Sequence, residues 1–177
     1  MRYMKNAIGS RVDLNNRDIE YTSEFLSYIE DLLEHSYVKK LKRVDQHKGT
    51  TRFQHCINVS YYSYRIALVI GADPKKSARA GLLHDLFWYD WHCKKTPQLH
   101  AYFHPRLALK NARKITSLSF EEEDAIINHM WPLSFGFPKT RVSYAVTFAD
   151  KYSAALEVGY NWGSFFGRKL SGILWNH

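Results

Sequence analysis

The segment SARAGLLHDL, Ser77–Leu86, has the composition of a buried helix that ends in a histidine and an aspartate. Small and apolar residues fill it, and no charge occurs from Ala80 to Leu83, so the segment is expected in a hydrophobic core. The adjacent His84 and Asp85 then need compensation, because ionised side chains are costly to bury. A divalent metal would supply it, since such ions bind imidazole nitrogen and carboxylate oxygen together. For this pair alone, a core histidine that is hydrogen-bonded to its neighbours is the alternative.

Length and composition indicate one domain with a sizeable core. The chain has 177 residues, of which 45% are hydrophobic and 15% aromatic, and we treat residues 1–177 as a single domain. It has no apolar run of the roughly 18 residues that a spanning helix needs, and no apolar signal-peptide core near its start. The two cysteines, Cys56 and Cys93, form no disulfide framework. These features predict a cytoplasmic protein with no membrane partner.

The net charge of the chain indicates the kind of ligand that the protein binds. The net charge is +8, which favours an anionic ligand such as a phosphate or a nucleotide. A basic surface that serves only solubility is the alternative. We find no recognisable nucleic-acid motif, so no specific nucleic-acid partner is expected and any such binding should be weak and salt-dependent. A homodimer is left open.

Apolar residues recur at helical spacing through most of the chain, which predicts an all-α bundle of about six to eight helices and no convincing strand. Residues 1–20 are polar and predict a loose arm, residues 38–49 predict a basic short helix or loop, and the tail 159–177 is left unassigned. Helices are expected over Ser23–His35, from Thr50-Thr51 to Gly71, from Asp73-Pro74 to the His84-Asp85 pair, from His104-Pro105 to about Thr116, from the capping box at Ser119 to Trp131-Pro132, and from Val142 to about Val158.

Five of these helices each place at least one side chain that could bind a metal on their core-facing stripe. These side chains are His55, His84 with Asp85, His104, His129 and Asp150. One buried histidine is ordinary, but four histidines with two carboxylates are difficult to satisfy by hydrogen bonds alone. The set as a whole therefore predicts a metal site.

At these residues the sequence resembles the HD-domain metal-dependent phosphohydrolases, over about residues 50–157. Their motif is a histidine, then His-Asp, then a distant aspartate, and the matching segments are TRFQHCINVSYYSYRIA, ARAGLLHDL and VSYAVTFADKYSAALE. The resemblance implies an all-α HD-domain fold with His55, His84, Asp85 and Asp150 as metal ligands. Members with two metals add two histidines, which HPRLALKNARKI matches with His104 and DAIINHMWP matches with His129. This six-ligand version resembles small bacterial HD proteins, including those that hydrolyse dinucleoside polyphosphates.

The resemblance implies hydrolysis of a phosphate ester or anhydride, in a nucleotide or a related small molecule, by a metal-activated water. Two ions that share the Asp85 carboxylate would also offset charge in the transition state, which makes Asp85 a catalytic residue as well as a ligand. A ligand set with four histidines suits transition metals over Mg²⁺. The resemblance favours Fe or Mn, with Zn, Co and Ni as alternatives. The competing functions are a di-iron oxygenase of the HD type and a non-catalytic binding module that keeps its metal for stability.

Two cations and one acid close to the expected ligands are candidates for catalysis and substrate binding. Lys151 directly follows Asp150, and Arg52 lies three residues before His55, so either could bind a phosphate group. A plain solvated charge is the alternative for each. Asp90, in the loop after the His-Asp pair, could donate a proton to a leaving group or could be a turn residue.

One further histidine competes for a ligand position. His100 lies four residues before His104 and could replace it as a ligand or contact the substrate. The HPxxAxxNA pattern matches the helix that carries the corresponding ligand in the resembling family, and it favours His104.

Overall fold

The long helix at the centre of the protein begins directly after a small β-hairpin, and two other helices pack closely against it. The structure is a computed structural model that describes residues 7–8, 10, 14, 20–47, 50–89 and 97–174, without side chains at 21, 47, 97–100 and 160–174. Its described part has seven α-helices, which confirms the all-α prediction. In chain order the elements are α1 (Glu20–Glu34), α2 (Ser36–Lys40), a 3₁₀ turn (Leu41–Arg43), β1 (Asp45–His47), β2 (Thr50–Thr51), α3 (Arg52–Ile70), α4 (Pro74–Leu83), α5 (Pro97–Ala112), α6 (Phe120–Asn128) and α7 (Arg141–Leu174).

Local signals set the ends of α3 and α4. The Thr51 side chain accepts a hydrogen bond from the Gln54 backbone N–H and begins α3. Gly71 ends that helix in the left-handed conformation at φ 66°, which glycine adopts without steric cost. Asp73 then caps α4 through the Lys76 N–H, with Pro74 in the first turn. The predicted bounds of both helices are confirmed, and the His84-Asp85 pair lies in the turn directly after α4.

Close packing of α4 on α3 brings the His-Asp pair into the core. A Cβ atom added at Gly81 would lie 2.9 Å from the Ser60 Cα and 3.0 Å from the Val59 carbonyl oxygen, so this position has no room for a side chain. The Ser60 hydroxyl donates a 2.7 Å hydrogen bond to the Ala78 carbonyl across the same interface. The small residues of α4 therefore let its end, with the following pair, reach the centre of the bundle, where α7 also packs against α3.

The prediction of no strand is wrong for the segment before α3. Residues 45–47 pair antiparallel with Thr50–Thr51 in a minimal two-stranded sheet. The Arg52 N–H donates a 2.7 Å bond to the Val44 carbonyl and closes the hairpin onto the first residue of α3. Pairing this short shows no period-2 pattern that the sequence could reveal. The hairpin brings the Gln46 side chain to the His-Asp pair, where it bonds the Asp85 carboxylate.

Two helices are longer than predicted. The proline at 105 does not begin α5 but lies inside it, and the helix begins at Pro97. Proline suits the first turn of a helix, and the sequence has a proline at both 97 and 105. The interior Pro105 lacks a backbone N–H for the helix and is buried in the bundle, as is Ala108. The last helix continues through the glycines of the tail to Leu174, because glycine lowers helix stability without forbidding the helix. None of the described helices has the length and apolarity needed to span a membrane.

The described residues of the N-terminal segment contact the bundle, whereas the sequence predicted a loose arm over 1–20. Ala7 and Leu14 are buried. The Ile8 N–H donates to the Asn58 side chain, and the Ile8 carbonyl accepts a 2.6 Å bond from the Tyr62 hydroxyl. These contacts attach this part of the segment to α3.

Candidate metal centre

Six side chains from five helical segments converge at the centre of the bundle. His55 lies in the first turn of α3, the His84-Asp85 pair follows α4, and His104 lies within α5. His129 follows α6, and Asp150 lies on α7. All except Asp150 are buried, and the Asp150 side chain is 15% exposed. The structure thus brings together all six residues that the sequence predicted as ligands.

One part of the cluster joins α3, the end of α4 and α7. Asp150 Oδ1 lies 3.2 Å from His55 Nε2 and 3.7 Å from His84 Nε2. The facing atoms of His55, His84 and Asp150 are close enough together for one cation to contact all of them. Two imidazoles and a carboxylate are a ligand set typical of transition-metal ions.

The other part of the cluster surrounds the Asp85 carboxylate. Asp85 Oδ1 lies 3.3 Å from His104 Nε2 and 3.7 Å from His129 Nε2, and those two nitrogens are 2.9 Å apart. Its other oxygen, Oδ2, lies 3.9 Å from His84 Nε2. His84, Asp85 and His129 also form a group that could hold a cation. Asp85 and His84 are therefore next to both parts of the cluster.

Hydrogen bonds on the outer ring nitrogens orient three of the histidines. Nδ1 of His84 lies 2.8 Å from the Gly81 carbonyl, and Nδ1 of His129 lies 2.8 Å from the Ile126 carbonyl. A carbonyl oxygen can only accept, so each Nδ1 carries the proton and donates it. In a neutral imidazole the Nε2 lone pair then faces the centre. Outer hydrogen bonds of this kind are the usual means of orienting a metal-binding histidine.

A carboxylate that sequence reasoning missed orients the third histidine. Glu157 is fully buried, and its two oxygens lie 3.1 and 3.2 Å from His55 Nδ1. The Asn58 amide donates a 2.8 Å bond to the same carboxylate. Asp150 and Glu157 are seven positions apart on α7, so helical periodicity places them on one face and could have revealed this partner.

The charges in the cluster shift several pKa values. Burial lowers the pKa of His55, but the hydrogen bonds to Asp150 and Glu157 outweigh it and raise this pKa to about 10. Burial and the neighbouring His84 and His104 lower the pKa of His129 to about 3. Burial opposes ionisation of Asp85 and Asp150, yet nearby histidines hold both carboxyl pKa values below their usual range. At neutral pH both carboxylates are therefore ionised and His129 is neutral, as metal binding requires, whereas a metal ion at His55 must displace the Nε2 proton that faces Asp150.

Two buried polar atoms in the cluster test whether a cation fits. Among the described residues, His84 Nε2 and Asp85 Oδ1 have no hydrogen-bond partner. Unpaired polar atoms in a protein core are rare and each needs an explanation. One atom carries an imidazole lone pair and the other is an anionic oxygen, so both are donors for a metal ion. The ligand set and these two atoms therefore fit divalent transition metals.

The two cations predicted to bind phosphate have different environments. Arg52 is fully buried, and its guanidinium donates to the Gln46 side chain and to the carbonyls of Phe87 and Tyr89. These contacts favour a positioning role, and its contact with substrate stays a prediction. Lys151 is 36% exposed at its side chain, and its ammonium donates a 2.8 Å bond to the His129 carbonyl. It lies at the edge of the cluster, 3.6 Å from Asp150 Oδ2.

Two other predicted residues cannot be placed in the cluster. Asp90 lies outside the described residues. The backbone of His100 lies within α5, but its side chain is outside the described part of the structure. Their roles as proton donor and as substrate contact or alternative ligand stay predictions. His104, the preferred ligand of that helix, does lie in the cluster.

Histidines and aspartates that come from separate helical segments and meet at a buried point are typical of metal-binding helical proteins. The HD domain family matches this chain over residues 52–155, more than half of its length. The chain belongs to this family, which binds divalent metals and consists generally of metal-dependent phosphohydrolases. A comparison with curated proteins gives no significant match. The resemblance to HD proteins is thus confirmed, and the six-ligand type stays a prediction.

Replacement of Glu157 with glutamine is expected to weaken metal binding. The substitution keeps the volume of the side chain but removes the charge that orients His55, so we expect a roughly 10–100-fold lower affinity for divalent metal. Titration of the metal-free protein with Mn²⁺ measures this change. Glu20→Gln, at an exposed position on α1, is the matched control and should leave the affinity unchanged. Equal affinities in both variants would contradict the assigned role of Glu157.

Proposed function

We propose that this protein is a metal-dependent phosphohydrolase that cleaves a phosphate ester or anhydride of a nucleotide or a related small molecule. We further propose that it uses two divalent ions, with Fe or Mn favoured over Zn, Co and Ni. The observation that carries the proposal is the buried cluster of four imidazoles and two carboxylates, in which His84 Nε2 and Asp85 Oδ1 have no hydrogen-bond partner among the described residues. The HD-domain family supports hydrolysis as the type of reaction.

The geometry suggests how the six side chains divide between the ions. His55, His84 and Asp150 would hold one ion. Asp85 would hold the other with His104 and His129, whose Nε2 atoms lie 3.3 and 3.7 Å from its Oδ1. The two oxygens of Asp85 face different histidines, so this carboxylate would serve both ions. A bound pair of divalent ions supplies an activated water at neutral pH and offsets charge on the phosphoryl group.

The exposed edge of the cluster indicates where the substrate enters. Asp150 is 15% and Lys151 36% exposed at the side chain, whereas the four histidines are buried. The Lys151 ammonium has three protons, of which the His129 carbonyl accepts one. It can therefore donate to a phosphoryl oxygen at this edge while it stays bonded to the protein. Burial lowers the pKa of Lys151, and the adjacent Asp150 opposes this effect. The net charge of +8 also favours an anionic substrate.

Replacement of Lys151 with methionine is expected to slow phosphate release while leaving the metal in place. The loss of one positioned donor to a phosphoryl oxygen should lower kcat/KM roughly 100-fold, because such donors act on charge that develops in the transition state. Phosphate release and metal content are measured on the same preparation. Lys114→Ala, at an exposed position after α5, is the control. If Lys151→Met kept the full rate, Lys151 would have no role in phosphate turnover.

The proposed function is tested with anaerobically purified protein that is loaded with Mn²⁺ or Fe²⁺ and given a panel of nucleotides and small phosphate esters. Phosphate release that a chelator stops and oxygen does not affect would support the phosphohydrolase. Turnover that requires both iron and oxygen would indicate an oxygenase instead. Bound metal with no turnover of any kind would indicate a binding module.

We also propose that the protein works in the cytoplasm. Cys56 is buried as a free thiol, and burial raises its pKa, which makes oxidation slow. A structural thiol of this kind is compatible with a reducing compartment.

A further inference from the structure

A glutamine on the β-hairpin contacts the Asp85 carboxylate from outside the histidine cluster. Gln46 lies on β1, is half-buried, and donates a 3.0 Å hydrogen bond from Nε2 to Asp85 Oδ2. The Gln46 amide thus contacts the carboxylate of a proposed metal ligand and not the histidine nitrogens that face the centre of the cluster. The bond spans 39 positions of sequence and joins the hairpin to the turn after α4.

Arg52 fixes the orientation of the Gln46 amide. Arg52 Nε donates a 2.6 Å bond to Gln46 Oε1. A guanidinium can only donate, so the amide oxygen must face Arg52 and the amide NH₂ must face Asp85. Arg52 itself donates hydrogen bonds to the carbonyls of Phe87 and Tyr89. Its guanidinium carbon also lies 3.8 Å from the centroid of the Phe87 ring. The buried arginine therefore determines which end of Gln46 meets the carboxylate.

The two oxygens of Asp85 are consequently in different environments. Oδ2 accepts the bond from Gln46, whereas Oδ1 has no hydrogen bond and lies 3.3 and 3.7 Å from the Nε2 atoms of His104 and His129. Rotation of the carboxylate about its Cβ–Cγ bond would break the Gln46 bond and move Oδ1 away from these nitrogens.

We propose that Gln46 is a positioning residue that holds the Asp85 carboxylate in the rotation needed for metal binding, and that Arg52 sets the direction of the Gln46 amide. This inference rests on the proposed function, because it takes Asp85 as a metal ligand. The hairpin does not depend on the Gln46 side chain for its closure, because the Arg52 N–H bonds the Val44 carbonyl and the strands pair through their backbones. A role for Gln46 in metal binding can therefore be separated from a role in folding.

The test is Gln46→Met, which keeps the length of the side chain and removes both amide bonds. Metal-free wild-type and variant proteins are titrated with Mn²⁺, and the Tm of each is measured without metal. We expect Mn²⁺ affinity to fall roughly 10–100-fold, as it does when other outer partners of a ligand are removed. Asp45→Ala, at the exposed neighbouring position of β1, is the matched control and should bind Mn²⁺ as the wild type does.

Arg52→Lys provides a second variant that keeps the charge but loses the guanidinium geometry. It should also weaken Mn²⁺ binding, and the double variant with Gln46→Met should lose less than the product of the two single losses, because both act through one bond. Wild-type Mn²⁺ affinity in Gln46→Met, with or without a lower metal-free Tm, would overturn the positioning role and leave the proposed function intact. A wild-type protein that binds no Mn²⁺ or other divalent ion would overturn the proposed function and this inference with it.

Discussion

Replacing Asp85 with alanine is expected to remove bound metal and phosphate release together. Asp85 is the carboxylate that lies beside His84 on one side and beside His104 and His129 on the other. Its loss takes an anionic ligand from the whole cluster, so the affinity should fall by more than the roughly 100-fold that the loss of an outer partner costs. Activity should fall to the background rate, because water activation depends on the bound ions.

Metal content by elemental analysis and phosphate release measure this prediction, and circular dichroism shows whether the variant folds. Asp45→Ala removes one negative charge from the hairpin whose Gln46 contacts Asp85, and it controls for the loss of charge alone. A folded Asp85→Ala protein with full metal content and an unchanged rate would show that the site is assigned to the wrong residues.

Replacing His104 or His129 with alanine is expected to lower the number of bound ions from two to one. Both histidines face Asp85 Oδ1. Neither belongs to the group that His55, His84 and Asp150 form. Each substitution therefore removes an imidazole from one half of the cluster and leaves the other half complete. Because transition metals in proteins usually need at least three protein ligands, the affected half should no longer retain its ion.

Elemental analysis of the two variants against His35→Asn tests this division. His35 caps α2 through its side chain, and asparagine can make the same cap, so this control removes a histidine without disturbing the cluster. If the wild type held a single ion, and neither His104→Ala nor His129→Ala changed it, the centre would reduce to His55, His84, Asp85 and Asp150. That result would favour a mononuclear nucleotidase and disfavour the oxygenase.

Much of the fold could be predicted because helix ends depend on local chemistry. Thr51, Gly71 and Asp73-Pro74 act within one turn of their own helices, and the structure confirms the bounds that they predict. The start of α5 was predicted wrongly because two prolines give the same signal and only packing decides between them. The two-stranded ladder was missed because it is too short to produce a pattern.

The candidate site was predictable to the same extent. His55, His104 and Asp150 lie on helical stripes, and the other three inward-facing side chains lie within two residues of a helix end, so periodicity and residue type together predict the six. Glu157 shares a face of α7 with Asp150 and was accessible to the same reasoning, although no motif marks it. Gln46 was not predictable, because its contact with Asp85 depends on how the hairpin packs against the turn after α4.

The most direct test of the two-ion centre is the metal content of the wild-type protein, purified without oxygen and loaded with Mn²⁺ or Fe²⁺ before excess metal is removed. We expect about two transition-metal ions per chain, held by four histidines and two aspartates. A protein that retains none would contradict this expectation, because His84 Nε2 and Asp85 Oδ1, which have no hydrogen-bond partner among the described residues, would then have no ion to bind.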